Sequence, residues 1–305
     1  MVTHIASRIR LAAALAASAW GAPALAEKAL NMPEGVTELS VKIYALHMEI
    51  FWWCVGIAVI VFGVMIYSIV RFRKSAGAVA DKTLVHSTRV EIAWTLVPIA
   101  ILVIMAVPAA RTLIEIEDTR GSEISIKVTG YQWRWHYDYL DRGVSFFSTL
   151  ARDSDAARQL RSGIDPNTVP NYLLAVDHPL VIPAGTKVRL LLTANDVIHA
   201  WWVPDFGMKK DAIPGFVNEI WINVDAHKTG TYRGQCAELC GRDHGFMPIV
   251  VEVKSKDDFA AWLSAQQEAA SQAASPATPA AEPLAANDPA TTATPVASTT
   301  LAQTQ

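Results

Sequence analysis

The sequence predicts a two-helix transmembrane hairpin followed by an all-β sandwich outside the membrane. Three observations predict it. Two long apolar runs, Ile50 to Val70 and Ile92 to Ala110, carry no charge. Beyond Arg111 short alternating segments take over, punctuated by Gly and Pro. The 305-residue chain is 51% apolar and only 18% charged, below the level usual in soluble domains. A formal charge of -3 leaves no basic excess to neutralise phosphates, which argues against nucleic acid as a partner. Three cysteines are too few for a disulfide-built scaffold.

The elements follow in chain order. Arg8 and Arg10 precede an alanine-rich apolar run, and Ala24 and Ala26 flank Leu25, which suits cleavage before Glu27. Residues 1–26 are therefore expected to be a signal peptide. A retained first membrane helix is the alternative, but the run from Leu11 to Ala19 is too short to span and Pro23 interrupts its continuation. The run Ile50 to Val70 has 21 residues, enough to rise about 30 Å, one hydrocarbon core. Trp52, Trp53 and Tyr67 sit near its ends as interface anchors do. The second run contains Pro98 and Pro108, which membrane helices tolerate. The loop 71–89 carries Arg71, Arg73, Lys74, Lys82 and Arg89 against Asp81, so it is expected in the cytoplasm, with the rest outside. A cleaved signal peptide requires the same orientation.

The outer domain is expected to be an antiparallel sandwich of about 145 residues, enough to bury its own core. Strands are expected over 123–129, 132–139, 187–193, 219–224 and 247–253. The stretch Arg142 to Asn171 breaks the rhythm and reads as an excursion, helical near Ser154 to Leu160. A helix from Asp257 to Gln267, capped by Asp257, closes the domain. Residues 269–305 are rich in Ala, Thr, Pro and Ser and are expected to be disordered.

The sharpest chemical signal is Cys236, Glu238, Cys240, His244 and Met247 within twelve residues, with His199 upstream in Asp196-Val-Ile-His199-Ala-Trp201. Thiolate and thioether are soft ligands that favour copper. A single blue-copper centre needs one thiolate, and here there are two. Two sulfurs can bridge a copper pair, with one imidazole on each metal from His199 and His244. Met247 and the Glu238 backbone carbonyl would complete the two sets. A disulfide, a zinc site and a mononuclear copper site with a spare cysteine are the alternatives. Cys54 lies apart, inside the first apolar run, and reads as a packing residue.

From about Met32 to Trp262 the chain resembles subunit II of haem–copper cytochrome c oxidases. The motifs are Val90-Glu91-Ile-Ala-Trp94-Thr-Leu-Val-Pro98, Tyr131-Gln-Trp133-Arg-Trp135-His-Tyr137, Asp196-Val-Ile-His199-Ala-Trp201, Lys210-Asp211-Ala-Ile-Pro214-Gly215 and the cysteine cluster. The resemblance implies a cupredoxin-like Greek-key sandwich holding a dinuclear copper A centre. It places the copper ligands on His199, Cys236, Glu238, Cys240, His244 and Met247, and a magnesium shared with subunit I on the Glu238 side chain. It makes Trp133 the residue through which electrons enter and Glu91 the mouth of a proton channel. Trp135, two residues on, is expected on the same strand face as Trp133. Asp138, Asp141, Asp177 and Asp196 are expected to form an acidic face for cytochrome c. Arg134 and His136 depart from the aromatic and small residues usual in relatives.

The implied function is electron transfer from cytochrome c to the haem centres of subunit I, where oxygen is reduced to water with proton translocation. The implied partners are subunit I, other oxidase subunits, cytochrome c and membrane lipid. The implied location is a bacterial inner membrane. Residues 27–46 would be a periplasmic segment, 47–111 the hairpin and 112–268 the periplasmic copper domain. Retention of every copper ligand argues against a quinol oxidase subunit. A copper storage or assembly module, and the copper domain of a nitrous oxide reductase, are the competing classes.

Overall fold

The computed structural model describes residues 31–79, 83 and 86–274. The expected signal peptide, residues 80–82 and 84–85 of the loop, and the tail from 275 onward lie outside the described residues. Both apolar runs are helical, and each helix is longer than the run that announced it. Helix α1 spans Glu38–Arg71 and α2 spans Thr88–Glu117. Both are long and apolar enough to cross a membrane.

The extra turns have a local cause. Thr37 caps α1: its hydroxyl accepts from Ser40 N at 2.9 Å, while Ser40 Oγ accepts from Thr37 N at 2.9 Å. Such a reciprocal box satisfies two otherwise orphaned donors. The Thr37 hydroxyl also donates to Phe206 O, and Leu39 and Ser40 are buried against the sandwich. Residues 37–46, assigned from sequence to a separate segment before the hairpin, thus belong to the first helix and its cap. The far end of α2 is tied in as well: Trp221 Nε1 donates to Glu115 O at 3.0 Å, and Lys210 pairs with Glu117. The sandwich is fastened to both outer ends of the hairpin.

Among the described residues ten strands form two five-stranded sheets. One has the order β3-β2-β1-β5-β8, from β1 (Ile124–Tyr131), β2 (Arg134–Tyr139), β3 (Val144–Ser148), β5 (Val188–Ala194) and β8 (Asn218–Ile222). The other has the order β4-β10-β9-β6-β7, from β4 (Leu180–Pro183), β6 (His199–Val203), β7 (Met208–Ala212), β9 (Gly230–Cys236) and β10 (Pro248–Lys254). Every second residue of β5 is buried, the signature of a strand with one face on the core. The core gathers Ile126, Val128, Tyr137, Leu190, Leu192, Trp201, Val203 and Val251 between the sheets. Tyr139 joins them by donating to Val181 O at 2.7 Å and accepting from Val181 N.

The sandwich is not wholly antiparallel. β1 runs parallel to β5, and β4 parallel to β10. Parallel neighbours need a crossover connection, and the stretch 140–187 supplies part of it. The excursion also contains the unforeseen strand β3, while its helix α3 occupies Arg152–Ala157 rather than Ser154 to Leu160. Arg134 and His136 find a purpose here. The Arg134 guanidinium lies 4.0 Å from the Phe147 ring centroid, and the His136 ring lies 4.7 Å from it. The closing helix α4 runs over Lys256–Ala274, capped by Ser255, whose Oγ accepts from Asp258 N. It passes the expected end at Gln267 because the run 265–274 consists of Ala, Gln, Glu and Ser, which sustain a helix.

Candidate metal centre

The centre is built from two places far apart in sequence. β9 ends on Cys236, and the loop to β10 carries Glu238, Cys240, His244 and Met247. β6 begins on His199 and pairs with β9 through Trp201 and Cys236, which brings the histidine to the loop. Gly130 of β1 makes the space: a methyl added there would stand 2.7 Å from His199 Cδ2.

The geometry gathers all six expected donors. The two sulfurs lie 3.8 Å apart. His199 Nδ1 is 3.9 Å from Cys236 Sγ, and His244 Nδ1 is 3.5 Å from Cys240 Sγ. Met247 Sδ is 3.5 Å from Cys240 Sγ, and Glu238 O is 3.4 Å from Cys236 Sγ. Each sulfur thus has one imidazole and one weaker donor beside it. Both cysteines, His199 and Met247 are buried. The sulfurs are free thiols, and with His199 their ligand atoms fall within 4.8 Å of one another. Soft donors at this spacing, shielded from water, fit copper ions.

The surroundings set the charges. Burial, together with the adjacent Cys236, pushes the Cys240 thiol up to about 12. Burial would raise Cys236 too, but hydrogen bonds to His199 and to backbone hold it below the usual thiol range. Asp196 fixes the His199 ring. Its carboxylate takes His199 Nε2 at 2.9 Å, Gln132 N at 2.8 Å and Val197 N at 2.7 Å. The nitrogen Nδ1 is thereby left for the sulfur side, the usual way a partner sets a ligand imidazole. Sequence reading placed Asp196 only among docking acids. Its spacing three residues before His199 was the available clue.

Trp133 does not share a strand face with Trp135. It sits with Gln132 in the two-residue turn between β1 and β2 and is partly exposed, whereas Trp135 is fully buried, its ring centroid 5.9 Å from that of His199 in a T-shaped contact. The turn interrupts the alternation on which the expectation relied. Trp133 Nε1 donates to Cys240 O at 3.2 Å, and Gln132 Nε2 donates to the same oxygen at 2.9 Å. Gly241, with φ 115°, lets the loop come this close.

The remaining expected residues are dispersed. Glu91 lies in the first turn of α2 and is half-buried. The Glu238 side chain is exposed. Asp177 accepts from Thr149 N and Oγ1 and from His178 N, so it clasps the excursion. Asp138 pairs across β1 with Lys127, and Asp141 lies in the turn after β2.

Fold and cluster together define a membrane-anchored β-sandwich with a buried thiolate–imidazole site able to hold a soft metal. Residues 124–254 match the family model described as cytochrome c oxidase subunit II, periplasmic domain, and residues 26–111 match that of its transmembrane domain. A probable cytochrome c oxidase subunit 2 of Rickettsia bellii is 40% identical over 75% of this chain and 81% of its own length. Its counterpart in Rickettsia prowazekii is 43% identical over 73% of this chain and 68% of its own. The crystallised periplasmic domain of subunit II of cytochrome oxidase from Bradyrhizobium japonicum is 41% identical, covering 50% of this chain and 98% of that one, with a TM-score of 0.42.

The chain belongs to the cytochrome c oxidase subunit II family. It is a membrane protein with a periplasmic domain, part of an oxidoreductase complex. Membership implies association with subunit I of a haem–copper oxidase, and the family normally carries a copper A centre.

Proposed function

We propose that this chain is the electron-receiving subunit of a cytochrome c oxidase in a bacterial inner membrane. It takes electrons from a soluble cytochrome c and hands them singly to the haem centres of subunit I, where oxygen is reduced and protons are translocated. Two copper ions would be held by Cys236, Cys240, His199, the Glu238 carbonyl, His244 and Met247. The observation that carries this reading is the pair of buried sulfurs 3.8 Å apart, each with its own imidazole within 3.9 Å. Bound there, a copper pair supplies one-electron redox chemistry.

The protein's own residues do the rest. Asp196 holds His199 in one orientation, and burial excludes water from the sulfurs. The donors therefore need little rearrangement when charge changes. Trp133 links the surface to the site through its hydrogen bond to the Cys240 carbonyl, and we assign it electron uptake. The exposed Glu238 carboxylate is available to a magnesium at the contact with subunit I. Glu91 stands at the cytoplasmic start of α2 and is assigned the mouth of a proton path that continues in subunit I. We assign the oxygen chemistry to subunit I.

Metal counting with electron paramagnetic resonance on the full chain in detergent tests the centre. Two coppers per chain sharing one unpaired electron are expected. One copper with a four-line pattern overturns the dinuclear assignment.

A further inference from the structure

The two halves of the donor cluster are held by unlike means. His199 opens β6 and Cys236 closes β9, two strands paired through Trp201 and Cys236, and Asp196 fixes the His199 ring. Cys240, His244 and Met247 stand instead on the connection between β9 and β10, outside any strand. That connection turns through a single 3-10 segment, His244–Phe246, in which Phe246 N donates to Asp243 O at 2.9 Å and His244 N to Gly241 O at 3.3 Å. Among the described residues the His244 ring meets one polar partner, Cys240 Sγ. It has no counterpart of Asp196 behind it.

The excursion after β3 reaches this connection. Its helix α3 is packed down through Ser154 and Ala157, both buried, and Ser154 Oγ accepts from Leu173 N at 3.1 Å. Arg233 of β9 donates to Leu174 O, and Leu150 bridges to Val176. So anchored, the excursion carries Arg158 just past the end of α3. The Arg158 guanidinium pairs with Asp155 at 2.7 Å and with Asp243 at 3.5 Å, and lies 4.4 Å from the Phe246 ring centroid. The Arg158 and Asp243 side chains are only 22% and 16% exposed, which spares the pair much of the screening that weakens surface ion pairs. Asp243 directly precedes His244, and Phe246 directly precedes Met247. One planar cation thus touches the residue before each of two donors. A guanidinium can bond carboxylates along its edge and cover a ring with its face at the same time, which an ammonium cannot.

We propose that Arg158 is a positioning residue of the metal centre: through Asp243 and Phe246 it fixes the backbone that presents His244 and Met247. The excursion is then a strut between the sandwich and the ligand loop. The proposal rests on the functional reading above, in which these donors hold copper. Arg158 touches no donor atom and acts only through its two neighbours. Partners of this outer kind orient the ligands, and losing one typically costs roughly 10- to 100-fold in metal affinity.

The test uses the full copper-loaded chain in detergent, as wild type, Arg158→Met, Arg158→Lys and the control Arg152→Met. Arg152 has no hydrogen bond or ion pair among the described residues, so its loss removes the same charge from the same excursion without touching the brace. Three quantities are measured on each: copper release from the reduced protein to a copper(I) chelator, the paramagnetic spectrum of the oxidised protein, and the thermal midpoint of the copper-free chain. Arg158→Met should speed release roughly tenfold and alter the spectrum, while the copper-free midpoint stays near wild type. Arg158→Lys should fall between the two, and Arg152→Met should release copper at the wild-type rate. Wild-type release and spectrum in Arg158→Met, or equal acceleration in Arg152→Met, overturns the brace while leaving the copper centre standing. If Arg158→Met lowers the copper-free midpoint, Asp243→Asn decides: it keeps the Arg158–Asp155 pair and must still speed release, and an unchanged rate overturns the brace. If wild type holds no copper pair, the functional reading fails and the brace fails with it.

Discussion

Gly130→Ala is the most demanding test of how the centre is assembled. Gly130 lies in β1, hydrogen-bonded on one side to β2 and on the other to β5. Its backbone is held by both neighbours and cannot retreat. An added methyl would stand 2.7 Å from His199 Cδ2, 2.9 Å from Cγ and 3.2 Å from Cβ. Ordinary carbon contacts are about 3.5 to 4.0 Å, so the ring must give way by close to an ångström. His199 is itself held by Asp196 and packed in a T-shaped contact with buried Trp135. Overpacking of this kind costs about 1 to 3 kcal/mol, and here the strain falls on a metal ligand. The variant should fold with a lowered unfolding midpoint, hold less copper per chain and show an altered paramagnetic spectrum. Thermal unfolding, metal counting and paramagnetic resonance on the same preparation measure all three. If Gly130→Ala keeps the wild-type copper count, spectrum and midpoint, β1 does not shape the His199 position and the reasoning is wrong.

Other perturbations probe the remaining links. Asp196→Asn removes the charge that takes three donors at once, and should shift the paramagnetic spectrum and lower stability by about 1 to 2 kcal/mol; an unaltered spectrum would show that the ring is held by other contacts. Thr37→Ala deletes both the cap of α1 and its bond to Phe206 O, so thermal unfolding in detergent should reveal a loss of about 1 to 2 kcal/mol, and no loss would remove the cap from the account. Asp177 and Glu219 are held below the usual carboxylate range: burial opposes this at Asp177 but is outweighed by Thr149 and His178, and at Glu219 the cause is Arg189. A depressed folded pKa stabilises above the unfolded value, so this contribution should persist down to about pH 4 and fade as pH falls further; Asp177→Asn should flatten that acid limb, and an identical limb would count against it. Glu91→Gln should slow proton-coupled turnover of the assembled oxidase while copper reduction stays fast, and unchanged turnover would reject the proton role.

Much of the candidate site was legible because it is local. Cys236 to Met247 is one short loop, and soft donors packed at that spacing state their chemistry before any fold is known. The spans were legible for a different reason: the hydrocarbon core sets a length that an uncharged run must match. Strands were harder. β5 alternates and was visible, but β7 (MKKDA) and β9 (GTYRGQC) hold few apolar residues. They are strands because β6 and β10 pair with their backbones. β4 is only four residues long and buried throughout, so it shows no period at all.

The chain's composition and spacing alone determined that it crosses a membrane twice, carries a sandwich outside and offers copper ligands. The tertiary structure decided which side chains meet. It delivered His199 to a loop 37 residues away, set Asp196 behind it, separated Trp133 from Trp135 and docked the first turn of α1 onto the sandwich. Period and composition are properties of neighbouring residues. Ligand orientation and surface charge arise from pairings across two sheets, where a turn of two residues can turn one indole outward and bury the next.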